Sequence, residues 1–407
     1  MRLDEDDSLE APAFRPKPAT GPWLLAVGAC GVAGAMFAGV STADFISHLD
    51  RQVHSIHCSI IPGAGAQLGE SGCRTVMMSP YSSMFRESIW GGIPISLLAF
   101  AVFAYLAFRG IDFGLRRDVT KRHTGFMVAA TGLPVLMSTI YGYISLTQLD
   151  ALCNVCAGIY ATSALAFVFA ILAHTKATPA PLHESPGPLF GRWFFEGVGY
   201  VAVLLVLYVT LAPVSDKSKE GCGRLVKTTD KAGVLIPFSK SRGGKPGIAV
   251  LDPLCPACRA FDGRMEASGL FERLNLKVLM FPLDSKCNWM VKESLHPGAC
   301  AVSEAILCDK DRAREIVDWA FANQEDLLDQ GKNDEKGLRR RITQQFPSVR
   351  GCLGRPKVKN KLNKSLRWAV ANALPVLTPQ LFLGDRRICD EDTDLGLEYA
   401  VATMLGR

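Results

Sequence analysis

Two Cys-x-x-Cys pairs carry the chemistry this chain could perform: Cys153/Cys156 lies inside an apolar run of membrane length, and Cys255/Cys258 directly follows a strand-like segment in a polar half. A dithiol motif that opens a helix puts its first sulfur at the positive end of the helix dipole, which lowers that thiol's pKa and makes it the attacking thiolate. The second sulfur then closes the disulfide. One pair in lipid and one in water implies electrons passed between them. The rival for Cys255/Cys258 is half of a zinc site, but a four-cysteine ribbon needs a second such pair roughly 15 to 20 residues on. None stands there, so no metal is expected. The rival for Cys153/Cys156 is two small apolar side chains packed in a helix, a role free cysteine fills well.

The elements that position these pairs follow from hydropathy. The chain has 407 residues, 48% of them hydrophobic, and a mean hydropathy of +0.16 that averages two unlike halves. Crossing a bilayer takes about 18 or more mostly apolar residues, and the stretches 23–40, 91–108, 124–149, 151–173 and 197–214 qualify. Lys and Arg between them number ten on one side and three on the other. The positive-inside rule therefore puts the N-terminus and the segments 109–123 and 174–192 in the cytoplasm, and everything after residue 214 outside. The leading MRLDEDDSLE is acidic and no small-residue cleavage site closes the first apolar run, which reads as an uncleaved anchor. This divides the chain into a tail (1–22), a four-span domain (23–175), a linker with a fifth helix (176–214) and an exported domain (215–407). Cys58, Cys73, both Cys-x-x-Cys pairs and every cysteine from Cys222 onward then face the oxidising compartment, where thiols are paired or redox-active. The charge of +6 is modest and spread, with no basic stripe interleaved with aromatics, which argues against nucleic acid.

In the exported half, 246–252 reads as a buried strand, Cys255-Pro-Ala-Cys258 starts a helix, and 276–281 reads as another strand. Charged amphipathic stretches follow at 312–328, 335–346 and 358–374, then a strand at 377–384 entered through Pro379, and a closing helix over 393–404. This order resembles the thioredoxin fold with the helical insertion of DsbA-type proteins. The resemblance implies a cis peptide before Pro379, a small cost for proline, and a contact between Thr378 and the attacking sulfur. Taken alone, Pro379 reads equally as an edge-strand proline.

Cys58, Cys73, Ser79-Pro-Tyr81, Gly92-Ile-Pro-Ile-Ser96 and Cys153-Asn-Val-Cys156 with Tyr160 one turn later resemble the vitamin K epoxide reductase homologues over the first four spans. In that family the membrane Cys-x-x-Cys reduces a quinone, the two loop cysteines relay electrons to it, and bacterial members are commonly fused through a fifth span to a thioredoxin-like domain. The resemblance implies a quinone contact for Ser79 and a hydrogen bond from Tyr160 to a quinone oxygen. Ser79 reads alternatively as a turn residue and Tyr160 as part of an interfacial aromatic belt. Fourteen residues separate Cys58 from Cys73, more than in most relatives. Glu87 and Ser88 stand where some members carry an asparagine, so that contact is not carried over. Position agrees with the relay: Cys153, nearer the surface, is expected to meet Cys73, and Cys156, one turn deeper, to face the ring.

Cys222, Cys287, Cys300, Cys308, Cys352 and Cys389 remain, and six cysteines allow 15 pairings; Cys287 with Cys300 or Cys308 is favoured as a local bridge. His296 near Cys300 could suggest a metal site, but a helix start is the better reading, and His48, His54 and His57 read best as solvated loop residues. The sum is a multi-pass protein of the bacterial inner membrane, a helical bundle followed by an α/β thioredoxin-like domain. Its expected activity is that of a thiol oxidase that takes electrons from reduced secreted or periplasmic proteins and gives them to the quinone pool (ubiquinone or menaquinone). The alternative within the same chemistry is a quinone or vitamin K epoxide reductase whose main product is the reduced quinone. A membrane-anchored thiol- or metal-binding module without turnover is the alternative of another class.

Overall fold

The computed structural model describes residues 19–49, 70–149, 151, 153–179, 187–211, 218, 220–241 and 243–406. The expectations for Cys58 and for the histidines at 54 and 57 lie outside the described residues. The chain divides into two compact units, Met1–Ala43 with His57–Cys73 and Ser96–Thr210, and Asp44–Ile56 with Arg74–Ile95 and Leu211–Arg407.

The N-terminal part runs through α1 (Gly21–Leu49), α2 (Glu70–Met78), β1 (Ser83–Met84), β2 (Ile93–Pro94), α3 (Ile95–Leu115), α4 (Lys121–Thr147), α5 (Asn154–Thr175) and α6 (Gly187–Leu211). Among the described residues five helices are long and apolar enough to cross a membrane. Their outward side chains suit lipid, with Phe195, Val206 and Leu211 more than half exposed. Small residues let α1 and α3 touch backbone to backbone, as lipid-embedded helices favour; a Cβ added to Gly31 would lie 2.5 Å from the Ala107 nitrogen. Between α4 and α5 the Ser138 and Ser163 hydroxyls bond at 3.1 Å.

Two spans start four or more residues from where hydropathy implies. The second begins at Ile95 rather than 91, because Gly91 and Gly92 take positive φ (72° and 76°) and turn the chain so that Ile93–Pro94 pairs with Ser83–Met84. The fifth begins at Gly187 rather than 197. Its charges are internally matched, with Glu196 pairing Arg192 one turn away and the buried Arg109 of α3, which also holds Asp112 at 3.0 Å. A search for uncharged windows skips such a turn.

The C-terminal part begins with β3 (Ile236–Pro237), β4 (Lys245–Leu251), α7 (Pro256–Ala267), α8 (Leu270–Arg273) and β5 (Leu274–Met280). Then come α9 (Ala299–Cys308), α10 (Ala313–Ala322), α11 (Gln324–Asn333), α12 (Glu335–Gln345), α13 (Pro356–Ala371), β6 (Gln380–Leu383), β7 (Arg386–Arg387) and α14 (Leu397–Leu405). The five strands order as β3-β5-β4-β6-β7, with β4 parallel to β5 and antiparallel to β6. A central Cys-bearing β4-α7-β5 crossover with five helices inserted before the antiparallel β6 is the thioredoxin-like arrangement, here with a helical insertion. The sheet and the insertion share one core through Leu251, Val278, Ile306, Ile316 and Leu381, all at most 1% exposed; each contributes roughly 1.5–3 kcal/mol by leaving water, and Leu381→Ala would cost about 2–5 kcal/mol. Disulfides join Cys222 to Cys389, Cys287 to Cys300 and Cys308 to Cys352. The second is one of the two favoured local bridges. The closing helix begins at Leu397 rather than 393, because a 3-10 turn occupies Asp390–Asp392.

Candidate redox sites

In the first unit Cys153 is the N-cap of α5, where its Sγ accepts the Cys156 backbone N–H at 3.3 Å. That satisfies one of the N–H groups a helix start leaves without a partner. Cys73, in the first turns of α2, lies with its Sγ 3.4 Å from the Cys153 Sγ, and both thiols are buried. At that distance one sulfur is within reach of the other for exchange when either is held in a disulfide. Cys156 and Tyr160 are both half-buried, and their four-residue spacing sets them on one face of α5. On the opposite face of α5 Gly158 admits the Phe37 ring so closely that a Cβ would lie 2.8 Å away. The Tyr160 hydroxyl has no hydrogen-bond partner among the described residues. Ser79 falls in the other unit, buried, its hydroxyl donating to the Val76 carbonyl at 2.7 Å, a turn-closing bond at the end of α2.

In the second unit Cys255 is the N-cap of α7 with Pro256 as the first helical residue, a position that needs no N–H. Cys255 is 5% exposed and Cys258 fully buried. The Cys255 thiol is pulled down to about 6, first by the hydrogen bond from the Cys258 thiol and then, against the cost of burial, by the one it makes with Thr378. Burial and the neighbouring Cys255 push Cys258 up. One sulfur is thereby an attacking thiolate and the other a protonated reserve. The Thr378 carbonyl stands 3.7 Å from the Cys255 Sγ, and the Thr378–Pro379 peptide is cis.

Sequence reasoning missed the support behind this pair. The carboxylate of Asp252, at the end of β4, accepts the Leu254 and Leu283 N–H groups at 2.8 and 2.7 Å and meets His296 Nδ1 at 2.7 Å. Its own N–H points at the Cys258 Sγ, 3.5 Å away. Burial is the largest single effect on His296 and works against its charged form, yet the Asp252 hydrogen bond together with the charges of Asp252, Cys255 and Asp284 outweighs it and raises the pKa. Cys300 is bonded to Cys287, so a His296/Cys300 metal site is excluded. Among the described residues Cys222, Cys389 and Glu391 approach metal-ligand distance, but the two sulfurs are bonded to each other and no thiolate remains. A carboxylate directly after a buried strand was the available signal for Asp252; nothing in the sequence paired it with a histidine 44 residues on.

Residues 25–171 match the Vitamin K epoxide reductase family. The match takes in the first four apolar helices, Cys73 and the Cys153/Cys156 pair, and ends within α5. Members of that family are oxidoreductases, which supports thiol–disulfide or quinone-linked redox chemistry for this part of the chain. No curated protein and no solved structure matches the chain.

Proposed function

We propose that this chain is a quinone-dependent thiol oxidase of the bacterial inner membrane that introduces disulfides into secreted proteins. In this reading residues 23–175 form the membrane catalytic domain, 176–214 the linker and fifth helix, and 215–407 an exported thioredoxin-like donor, with the N-terminus cytoplasmic. The observation that carries it is the 3.4 Å separation of the Cys73 and Cys153 sulfurs at the mouth of an apolar helix, together with a second, pKa-split dithiol in a water-facing domain of the same chain.

The steps balance as thiol–disulfide exchange. A substrate thiolate attacks Cys255 of the oxidised Cys255/Cys258 pair, and the substrate's second thiol displaces it, leaving a substrate disulfide and a reduced pair. The Cys255 thiolate then opens the disulfide expected between Cys58 and Cys73, and Cys258 closes on Cys255. Cys73 next opens the Cys153–Cys156 bond at Cys153, and Cys58 closes on Cys73, which restores the loop disulfide and releases the Cys153/Cys156 pair as two thiols. In total two substrate thiols lose two electrons and two protons and one quinone gains them. Cys156 and Tyr160 fit a quinone: a thiol and an unengaged phenol on one face of an apolar helix. When bound, the quinone supplies the two-electron acceptor; the Tyr160 hydroxyl donates a hydrogen bond to its oxygen and the apolar helices exclude water. Ubiquinone and menaquinone both offer that chemistry.

Anaerobic mixing of the purified protein with a reduced protein substrate and a quinone tests this directly. One quinone consumed per disulfide formed is the expected result. No consumption would leave a thiol-binding module, and quinone reduction by a small dithiol without oxidation of the protein substrate would leave a quinone reductase.

A further inference from the structure

The most completely bonded side chain in the second unit is Arg264, on the helix that Cys255 opens, at 2% exposure. A guanidinium has five N–H donors, and all five are used. Nε donates to the Met78 carbonyl at 3.0 Å; Nη2 donates to the Met78 carbonyl and, at 3.2 Å, to that of Ser79. Nη1 donates to the Asp394 carbonyl at 2.8 Å and to Glu398 at 3.3 Å. Glu398, equally buried on α14, also pairs with Arg86 at 3.0 Å and accepts the Ser268 hydroxyl at 2.7 Å. Met78 is the last residue of α2, the helix that carries Cys73. A cation on final helix carbonyls is favourably placed against the dipole, and here that cation comes from the Cys255 helix. A second hold lies nearby, where Trp90 donates its indole N–H to Asp392 at 2.7 Å and packs with Phe45, Met78 and Leu395. Gly396 is the residue that permits this seat, for a Cβ there would lie 2.4 Å from the Trp90 nitrogen.

We propose that Arg264 is the positioning residue of the internal electron hand-over: it fastens the end of the Cys73 helix to the Cys255 helix, with Trp90 as the second fastening, so that each chain's soluble domain is the captive donor to its own relay cysteine. Arg264 touches no reacting sulfur. At the hand-over the Cys255/Cys258 dithiol loses two electrons and two protons and closes its S–S bond, while the disulfide held by Cys73 opens to two thiols. Fastening the two helices replaces an encounter between chains with one inside a chain, where effective concentration is set by the tether and favours the attached partner. A buried ion pair of this kind adds little net stability over apolar packing, while removing one partner alone destabilises, so a steric variant and an arm in trans accompany the charge variant. The inference rests on the function proposed above.

The test uses the full chain in membranes. Arg264→Gln removes the charge and part of the donor fork, and Gly396→Ala unseats Trp90 by sterics alone. Each variant is expected to lower substrate-to-quinone turnover at least tenfold while quinone reduction driven by a small dithiol, which bypasses the soluble domain, is retained. The discriminating arm is complementation in trans. A Cys255→Ser chain and a Cys153→Ser chain, each inactive alone, are co-expressed; with native Arg264 they should give only background turnover, and with Arg264→Gln in both chains turnover should rise at least fivefold, because a freed domain reaches its neighbour. Unchanged turnover in both variants overturns the proposal. So does a fall in the single chain without a gain in trans, or an equal loss of dithiol-driven activity in both variants, since either assigns these residues to the fold alone. If the unaltered protein reduces no quinone with a dithiol, it is the oxidase reading that fails.

Discussion

Titrating Cys255 tests the chemistry of the soluble site with few assumptions. Its pKa of about 6 against an ordinary cysteine near 8.5 means that roughly nine-tenths of it is thiolate at pH 7, where an unperturbed thiol would be about 3%. A depressed acid pKa stabilises the folded reduced form above the unfolded value and loses that contribution as pH falls through the folded one. Between about pH 8.5 and 6 the contribution therefore shrinks, from roughly 3 kcal/mol above that window to roughly 1 to 2 kcal/mol at pH 7 and little below pH 6. Because the thiolate exists only after reduction, the same energy favours the reduced pair and makes the disulfide a stronger oxidant, the logic by which a stabilised reduced form raises a reduction potential. The assay is the rate of iodoacetamide labelling of the reduced full chain from pH 4 to 9, read by mass spectrometry on the Cys255 peptide. Half-maximal labelling is expected near pH 6, with Cys258 unlabelled while the fold persists. Cys258→Ala removes the hydrogen bond that is the largest cause and should move the midpoint upward by a unit or more. A native midpoint at 8.5 or above, or one that ignores Cys258→Ala, would refute the reasoning.

Cys58→Ala removes the thiol that resolves the Cys73–Cys153 mixed disulfide, so a crosslink between the α2 and α5 peptides should accumulate after proteolysis; an uncrosslinked, fully active variant would take the loop pair out of the relay. Replacing Cys308 and Cys352 together by Ala releases a closure of 44 residues, worth about 4 kcal/mol by loop entropy; urea unfolding of the purified chain should register most of that loss, and a change below about 1 kcal/mol would contradict it. A reporter active only in the periplasm should work when fused after Arg407 and fail when fused at Arg117, and the opposite pattern would put the soluble domain in a reducing compartment.

Hydropathy made the five spans legible because lipid imposes one simple demand, and it failed where that demand is met by pairing. Arg109 and Glu196 are charges inside helices, tolerable because each has the other, so a window that rejects charge places the fifth start ten residues late. The C-terminal core was readable for a different reason. β4 and β5 are buried on both faces in their last three residues, so each ends in a continuous apolar run, and the Cys-Pro-Ala-Cys motif marks the crossover between them. Of the disulfides only the short Cys287–Cys300 loop was within reach, since the partners of Cys222 and Cys308 stand 167 and 44 residues away.

The site divides along the same line. Cys153, Cys156, Cys255 and Cys258 announced themselves because thiol pairs at fixed helical spacing are rare and chemically particular. Arg264 did not, because an arginine on an amphipathic helix reads as a solvated face, and only the carbonyls of Met78 and Ser79, 186 and 185 residues away, turn it inward. Backbone acceptors leave no trace in side-chain identity, so no pattern of residues could have named them. The stretch 74–95 has the same history. As sequence it is a loop between spans, yet Trp90, Arg86 and the end of α2 group it with the C-terminal residues. The thiols fix which electrons can move, while the carbonyls, one indole and one buried cation fix between which partners, and that second specification exists only in the folded chain.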